Sequence, residues 1–551
     1  MNAGQVRASA AGEASRDNPL LGADGNGRDN DRVLAFLADP GAYHPAPDRV
    51  ERIETHGAVV FLAGEFALKV KKAVHFSYMD LSTLALRERA CRRELEINQP
   101  AAPEIYLDVV PITADDAGGL AIAGRGRVVE WAVRMRRFAQ SELLSAIADR
   151  GAIGPDLARR IADAVAVTHA RGPVAHGADP VGQARTIAAS VIATLAEAGP
   201  DDMPAADVAR LASAFEAEIT RRQALLGARA RAGFVRRVHG DLHLANVVLW
   251  QGEPRLFDAI EFDEAIATID VLYDLAFLVM DLCHRGQRAA ACHVQNRYLA
   301  RFSDPADVYG FDGLDGLALL PLFLSLRAGV RAMVGVHRAA QEAGTGRAAD
   351  LAKARDYLAA ALDHLAPPPS VLVAIGGLSG TGKSTLAAAL APRIGAAPGA
   401  VHLRSDVERK AMFGVDETTR LPPSAYGPDV TAAVYARLIE KAGRAIAAGR
   451  AVIVDAVHGQ PGERAEIEDV ARRAHVAFHG FWLEAPAETL RRRVEARTGD
   501  ASDATADVVD RQQGYDVGDV TWRRISTNAG AESALAEVTA VLVCADSPST
   551  A

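Results

Sequence analysis

The most specific chemistry in the chain lies in one short run, Gly377-Leu-Ser-Gly-Thr-Gly-Lys383-Ser384, which follows the pattern G-x-x-x-x-G-K-[ST]. An apolar run, 371–375, precedes it and the helix-forming Thr385-Leu-Ala-Ala-Ala-Leu follows, so strand, loop and helix come in the order a phosphate cradle needs. Glycines let successive backbone N–H groups turn inward around phosphate oxygens, and the helix N-terminus adds partial positive charge. The loop residues Gly377, Ser379, Gly380, Thr381, Gly382 and Thr385 are expected to line the phosphates of ATP. Lys383 is expected to reach the β- and γ-phosphates as a catalytic group, and Ser384 to hold Mg²⁺.

Downstream, Asp406 and Arg409 follow a short apolar run and Asp455 ends another, at 451–455. In open α/β sheets ligands gather at the carboxyl ends of strands, which puts both aspartates near the phosphate loop, Asp455 as a second metal ligand. Arg491, Arg492, Arg493 and Arg497 follow the run ending at Ala485, on a helix that is either a solvated face or a lid over transferring phosphate. With these residues, 369–545 resembles the small P-loop kinases of the gluconate kinase and zeta-toxin type, which carry an Asp and Arg after the second strand and an arginine-bearing lid. The resemblance implies substrate contact by Asp406 and Arg409, a catalytic part for Asp406, and ATP contact by Arg493 and Arg497.

A second constellation is His239-Gly-Asp241-Leu-His243-Leu-Ala-Asn246, with Asn five residues after Asp as in the kinase catalytic loop. A carboxylate at Asp241 can orient an attacking hydroxyl and take its proton, and the amide oxygen of Asn246 can hold Mg²⁺. His239 reads as a structural hydrogen bonder; His243 stays open. The following stretch supplies Asp258, Glu261 and Asp263 as candidates for a second metal carboxylate. Upstream, Lys69 or Lys71 can pair phosphates, with Glu94 on the next helix as the lysine's partner. Alternation puts both lysines on one strand face.

Residues 40–365 thereby resemble the aminoglycoside phosphotransferase family, and the whole chain resembles bacterial proteins that fuse such a part to an ATP-binding one. Against the family's I-D-F pattern, Glu261 takes the metal-binding position, and Lys69 matches the phosphate-pairing lysine better than Lys71. Asp270 and Asp274 are expected to be structural. The family's Gly-rich loop is missing, since 56–65 holds only single glycines.

These groups need scaffolds. Residues 59–71 read as two strands around a Gly64 turn, then a charged helix, then a strand from Val128 to Phe138; helical stretches dominate to Leu365. Ala366-Pro-Pro-Pro-Ser370 cannot continue a helix and reads as a linker. Beyond it strands alternate with helices. The expected fold class is an α+β two-lobed protein-kinase-like domain followed by an α/β P-loop domain with a mostly parallel sheet. The expected organisation is a disordered leader over 1–30, a kinase-like domain over 31–365 with its small lobe to about residue 138, the linker 366–370, and the P-loop domain over 371–547.

The chain's 551 residues allow about three or four structural units. Apolar residues at 49 % and charged ones at 24 % exclude disordered, collagenous and membrane classes. With 61 Lys plus Arg against 70 Asp plus Glu and no long block of one sign, a broad nucleic-acid footprint is disfavoured. Cys91, Cys283, Cys292 and Cys544 are too scattered for a disulfide framework. A metal on Cys283-His284 and Cys292-His293 is disfavoured by their spacing, and Arg327 and Arg331 read as internal ion-pair residues. Neither a signal-peptide core nor an uninterrupted apolar span is present, so a cytoplasmic chain with no membrane partner is expected.

The expectation is a bifunctional ATP- and Mg²⁺-dependent phosphotransferase acting on a small-molecule hydroxyl, its oligomeric state open. The alternatives are a nucleotide-responsive regulatory protein with a degenerate kinase-like part, and a toxin-like nucleotide-sugar kinase.

Overall fold

The computed structural model describes residues 25–546 apart from 56, 77–78, 152, 303–312 and 498. The chain divides into two compact units: one is formed by 25–153, 167–284 and 322–362, the other by 154–166, 285–321 and 363–546.

The first unit opens with helix α1 (Gly25–Leu37). Residues 25–30, read from sequence as the end of a disordered leader, are thus helical; 1–24 lie outside the described residues. Six strands follow in one antiparallel sheet: β1 (Val50–Glu54), β2 (Ala58–Ala63), β3 (Phe66–Lys71), β6 (Tyr106–Ala114), β7 (Leu120–Ile122) and β8 (Arg127–Arg136), in the order β1-β2-β3-β8-β6-β7. A small hairpin of β4 (His75–Phe76) and β5 (Met79–Asp80) precedes helix α2 (Leu84–Asn98).

Alternation along β3 sorts its side chains. Leu68 and Val70 join Val33 and Leu37 of α1 in one core, and Ala67 joins Cys91 of α2 in another. Lys69 and Lys71 therefore sit on the α2 side, buried with only 7 % and 3 % of their surface exposed. Asn30 of α1 is buried and donates to the Lys71 carbonyl (3.0 Å) and to Glu130 (2.7 Å), which also holds Arg87 at 2.8 Å.

The rest of this unit is mostly helical: α3 (Leu144–Arg150), the end of α4 (Pro155–Arg171), α5 (Pro180–Glu197), α6 (Ala205–Arg231), α7 (Glu264–Ala267), α8 (Val271–His284), and most of α10 (Leu320–Gln341) and α11 (Gly344–His364). Set among them are β9 (Val235–Arg237) paired with β12 (Thr268–Asp270), and the hairpin β10 (Val247–Trp250) with β11 (Glu253–Leu256). Among the described residues one helical stretch, Asp315–Gln341, is long and apolar enough to cross a membrane; 89 % of its apolar window is buried inside the protein. Arg327 in it stands 3.8 Å from Asp274, and Arg331 lies over the Tyr357 ring.

The second unit is built on a five-stranded sheet: β13 (Val371–Gly377), β14 (Val401–Arg404), β15 (Val452–Asp455), β16 (Ala477–Glu484) and β17 (Arg523–Ser526). Their order is β14-β15-β13-β16-β17 and every pairing is parallel. Strands buried on both faces need helices on both sides. On one side Val373, Ile375, Ile453 and Phe481 pack with α12 (Lys383–Leu390) and α18 (Ala531–Asp546). On the other lie α14 (Pro428–Ala447) and α15 (Pro461–Ala474). Helices α13 (Ser405–Met412), α16 (Ala487–Glu495) and α17 (Ala506–Gln513) surround the carboxyl ends of the strands. Helix α9 (Arg288–Phe302), far back in sequence, belongs to this unit: Cys292 joins the sheet's core, and Asn296 accepts from the His402 N–H at 2.7 Å.

Candidate active sites

In the first unit the loop 239–246 leaves β9 and enters β10. Gly240 has φ +82°, and a Cβ there would stand 3.2 Å from Ala267 Cα, so only glycine fits without strain. Two carboxylates of α8 pin the loop. Asp274 accepts from the N–H groups of His239 (3.1 Å) and Gly240 (3.0 Å), and Asp281 accepts from Leu244 N–H (3.0 Å). Burial pushes the Asp274 carboxyl up, but the hydrogen bond from His169 and the nearby cationic groups outweigh it and hold it below the usual range. Asp274 is structural, as is His239, whose Nε2 lies 2.9 Å from the Phe257 carbonyl.

Asp241 is buried and accepts from Asn246 Nδ2 at 3.1 Å, with His243 Nε2 at 3.5 Å. Burial alone would raise its pKa; the His243 ring reverses that and keeps it below the ordinary carboxylate value. The two predicted residues of this loop are thus in contact.

After β11 the chain is no longer a strand. Phe257 N–H donates to the Asn246 carbonyl (3.1 Å), and Asp258 takes a left-handed φ of +60°, its N–H donating to Tyr106 Oη at 3.1 Å. Lys69 Nζ stands 2.7 Å from Glu94 Oε1 and 2.6 Å from Asp258 Oδ1. Lys71 Nζ stands 2.6 Å from the other Glu94 oxygen and also pairs with Glu261. Both candidate lysines therefore meet Glu94, and each takes its own second carboxylate. Burial works against the Lys69 charge, yet Asp258 and Glu94 overcome it and raise its pKa well above the usual value. Glu261 keeps 6 % of its side chain exposed against 26 % for Asp258. Asp263 caps α7, accepting from Ala265 and Ile266 N–H.

In the second unit the phosphate loop joins β13 to α12. Gly377, Gly380 and Gly382 all have positive φ, and a Cβ on Gly380 would stand 2.7 Å from the Leu490 carbonyl. Lys383 Nζ (3.1 Å) and Thr381 Oγ1 (2.8 Å) both donate to the Leu378 carbonyl, and Ser379 N–H donates to Gln512 Oε1 (2.7 Å). Ser384 and Thr385 follow in the first turn of α12.

Parallel register sets Asp455 beside Arg404 on one flank and Ile375 on the other, so three strand ends share one edge. Asp455 lies 3.5 Å from His402 Nε2 and 3.7 Å from Arg404 Nε. Burial raises its pKa, but His402, Arg404 and Lys383 together bring it below the usual carboxylate value. Asp406, in the first turn of α13, is shifted the other way: burial and then the Asp455 charge raise it. Burial also lowers Lys383, against the pull of Asp455 and Asp406. Arg409 donates to the Ala425 carbonyl (2.8 Å) with its guanidinium over the Tyr426 ring.

The arginines of α16 divide. Arg491 pairs outward with Asp510 (2.7 Å). Arg493 turns inward, donating to Thr527 O (2.8 Å) and Oγ1 (3.0 Å) and to Gly380 O (3.4 Å). Arg497, just past the helix, lies 3.8 Å from Asp500.

Two acidic residues here belong to none of the motifs named above. Asp500 pairs with Arg404 at 2.9 Å, and Asp503 pairs with Lys410 at 2.7 Å and Tyr426. Their clustering in Gly499-Asp-Ala-Ser-Asp503 was the one available hint. Among the described residues no group of three or more His, Cys, Asp and Glu is placed to hold a metal by itself.

The family model AAA_33 (AAA domain) matches residues 372–515. The APS kinase CysC of Mycobacterium tuberculosis is 23 % identical, covering 32 % of this chain and 99 % of that one with a TM-score of 0.24. A choline/ethanolamine kinase family protein from Mesorhizobium loti is 14 % identical, covering 61 % of this chain and 99 % of that one with a TM-score of 0.35. Over nearly the whole length, the protein Rv2004c of Mycobacterium tuberculosis (strain ATCC 25618 / H37Rv) is 32 % identical across 487 residues, 86 % of this chain and 93 % of the relative. The chain belongs to the family of Rv2004c, and the stretch of it that matches the AAA domain lies in the second unit.

Proposed function

We propose that the protein is a phosphotransferase that moves the γ-phosphoryl group of ATP to a hydroxyl of a small molecule, with one nucleotide site in each unit. The observation that carries this reading is the buried Lys69 held between Glu94 and Asp258, since Asp258 follows the segment bonded to the Asp241–Asn246 loop. A lysine to pair phosphates and a carboxylate to receive a proton are what phosphoryl transfer asks of a protein.

Asp241 orients the acceptor hydroxyl and takes its proton; its low pKa keeps it ionised for that step. His243 and Asn246 hold the carboxylate in place. Asn246 and Asp258 offer the hard oxygen atoms that Mg²⁺ prefers, and two protein ligands suffice where phosphate oxygens complete the shell. Glu261, expected at that place, is closed in with Lys71 at 6 % exposure, whereas Asp258, though paired with Lys69, keeps 26 % of its side chain open, so we assign the metal carboxylate to Asp258. Mg²⁺, when bound, neutralises charge on the phosphate oxygens. In the second unit Lys383 serves the phosphates, Ser384 and Asp455 are the metal-side groups, and Asp406 with Arg409 faces the acceptor.

Calorimetry of the full chain with ATP and Mg²⁺ tests the proposal. Two binding steps are expected, one removed by Lys383→Ala and the other by Asp258→Asn. A single step that survives both substitutions would overturn it.

A further inference from the structure

The phosphate loop donates one of its backbone N–H groups to a side chain of its own chain. Ser379 N–H meets Gln512 Oε1 at 2.7 Å, and Gln512 is buried at the end of α17. Its oxygen is a neutral acceptor on a loop whose N–H groups are shaped for anionic oxygens.

The contact is supported from both sides. Leu378 packs against Leu490, Val494 and Val509, so the residue next to Ser379 shares a small apolar core with α16 and α17. Arg493 of α16 reaches the Gly380 carbonyl at 3.4 Å, and Arg491 ties α16 to Asp510 of α17 at 2.7 Å. Three consecutive loop residues, Leu378, Ser379 and Gly380, are thus held by one helical pair. A side chain positioned this firmly competes with a ligand for the N–H it holds.

We propose that Gln512 tunes the affinity of the phosphate loop: its amide oxygen occupies the Ser379 N–H that a phosphoryl oxygen of a nucleotide takes, so that binding exchanges one acceptor for the other and shifts the end of α17. The inference rests on the reading of this loop as a nucleotide site. It goes further by making a residue about 130 positions downstream set the affinity.

The test uses the full chain and ATP with Mg²⁺, following the calorimetric step that Lys383→Ala removes. Gln512→Ala deletes the competitor and should tighten that step about fivefold, the worth of one neutral hydrogen bond. Gln512→Glu keeps the acceptor but places a negative charge beside the phosphates, and should weaken the step by about tenfold or more. Hydrogen exchange at 506–513 should speed up when ATP is added to the parent protein. If both substitutions weaken binding, Gln512 is a direct ligand contact and the proposal is wrong; if neither changes it, the contact is structural and the proposal is equally wrong. Absence of any step sensitive to Lys383→Ala would instead remove the underlying nucleotide site.

Discussion

Lys71 and Glu261 form a buried ion pair two residues along β3 from Lys69, whose own partner is Asp258. Two lysines on one strand face thereby sort two carboxylates: the one on Lys69 stays partly open to the site and the one on Lys71 is closed away.

This sorting predicts a double dissociation. Asp258→Asn should weaken Mg²⁺-dependent nucleotide binding in the first unit by at least on the order of tenfold, because a hard cation loses a charged ligand. Glu261→Gln should leave that dependence unchanged and lower stability by about 2 kcal/mol, the scale of a lost hydrogen bond to a charged group. Nucleotide titrations with and without Mg²⁺, and denaturant melts, read the two effects. Loss of Mg²⁺ dependence in Glu261→Gln alone would return the metal to Glu261.

The phosphate loop was legible because its signal is contiguous: a fixed pattern between an apolar strand and a helix-forming run. The Asp241–Asn246 loop was legible for the same local reason, whereas Lys69, Lys71 and Glu94, on a strand and the next helix, were picked out through the family resemblance, which did not foresee that Glu94 meets both lysines. Asp258 was named together with Glu261 and Asp263, and only the family pattern ranked the three, toward Glu261; no local signal marks that the backbone leaves the strand after Leu256, with Asp258 at φ +60°. Gln512 was invisible, since nothing in a helical run near residue 510 points to a loop at residue 379. The start of α1 was hidden by composition: Gly25-Asn-Gly-Arg-Asp-Asn-Asp has no apolar period, and its helix is fixed by Val33 and Leu37 packing on the sheet.

α1 should therefore matter to stability. Leu37→Ala should cost about 2–5 kcal/mol, since Leu37 is fully buried against β2 and β3 residues. Equal stability of Leu37→Ala and the parent in urea would show that α1 does not cover the sheet.

His458, just beyond β15, predicts an acid sensitivity. Its ring lies edge-on to Tyr435 and Trp522, and neither ring nitrogen has a hydrogen-bond partner among the described residues. Burial pushes its pKa from 6.5 down to about 3. The folded protein thus keeps the ring neutral while the unfolded chain takes up a proton below about pH 6.5. The contribution is fully present above that value and is lost as pH falls toward about 3. His458→Phe should flatten the fall in Tm between about pH 7 and pH 4. An unchanged slope would assign the acid sensitivity to other groups.

The central claim is that the first unit transfers phosphate through Asp241. It is tested most directly by ADP release over a panel of hydroxyl-bearing acceptors in the Lys383→Ala background, comparing Asp241 with Asp241→Asn. The substitution keeps the shape of the side chain and removes the proton acceptor, so turnover on the responding acceptor should fall by roughly 10²–10⁴ with ATP affinity little changed. Turnover that is the same with and without the carboxylate would contradict the account.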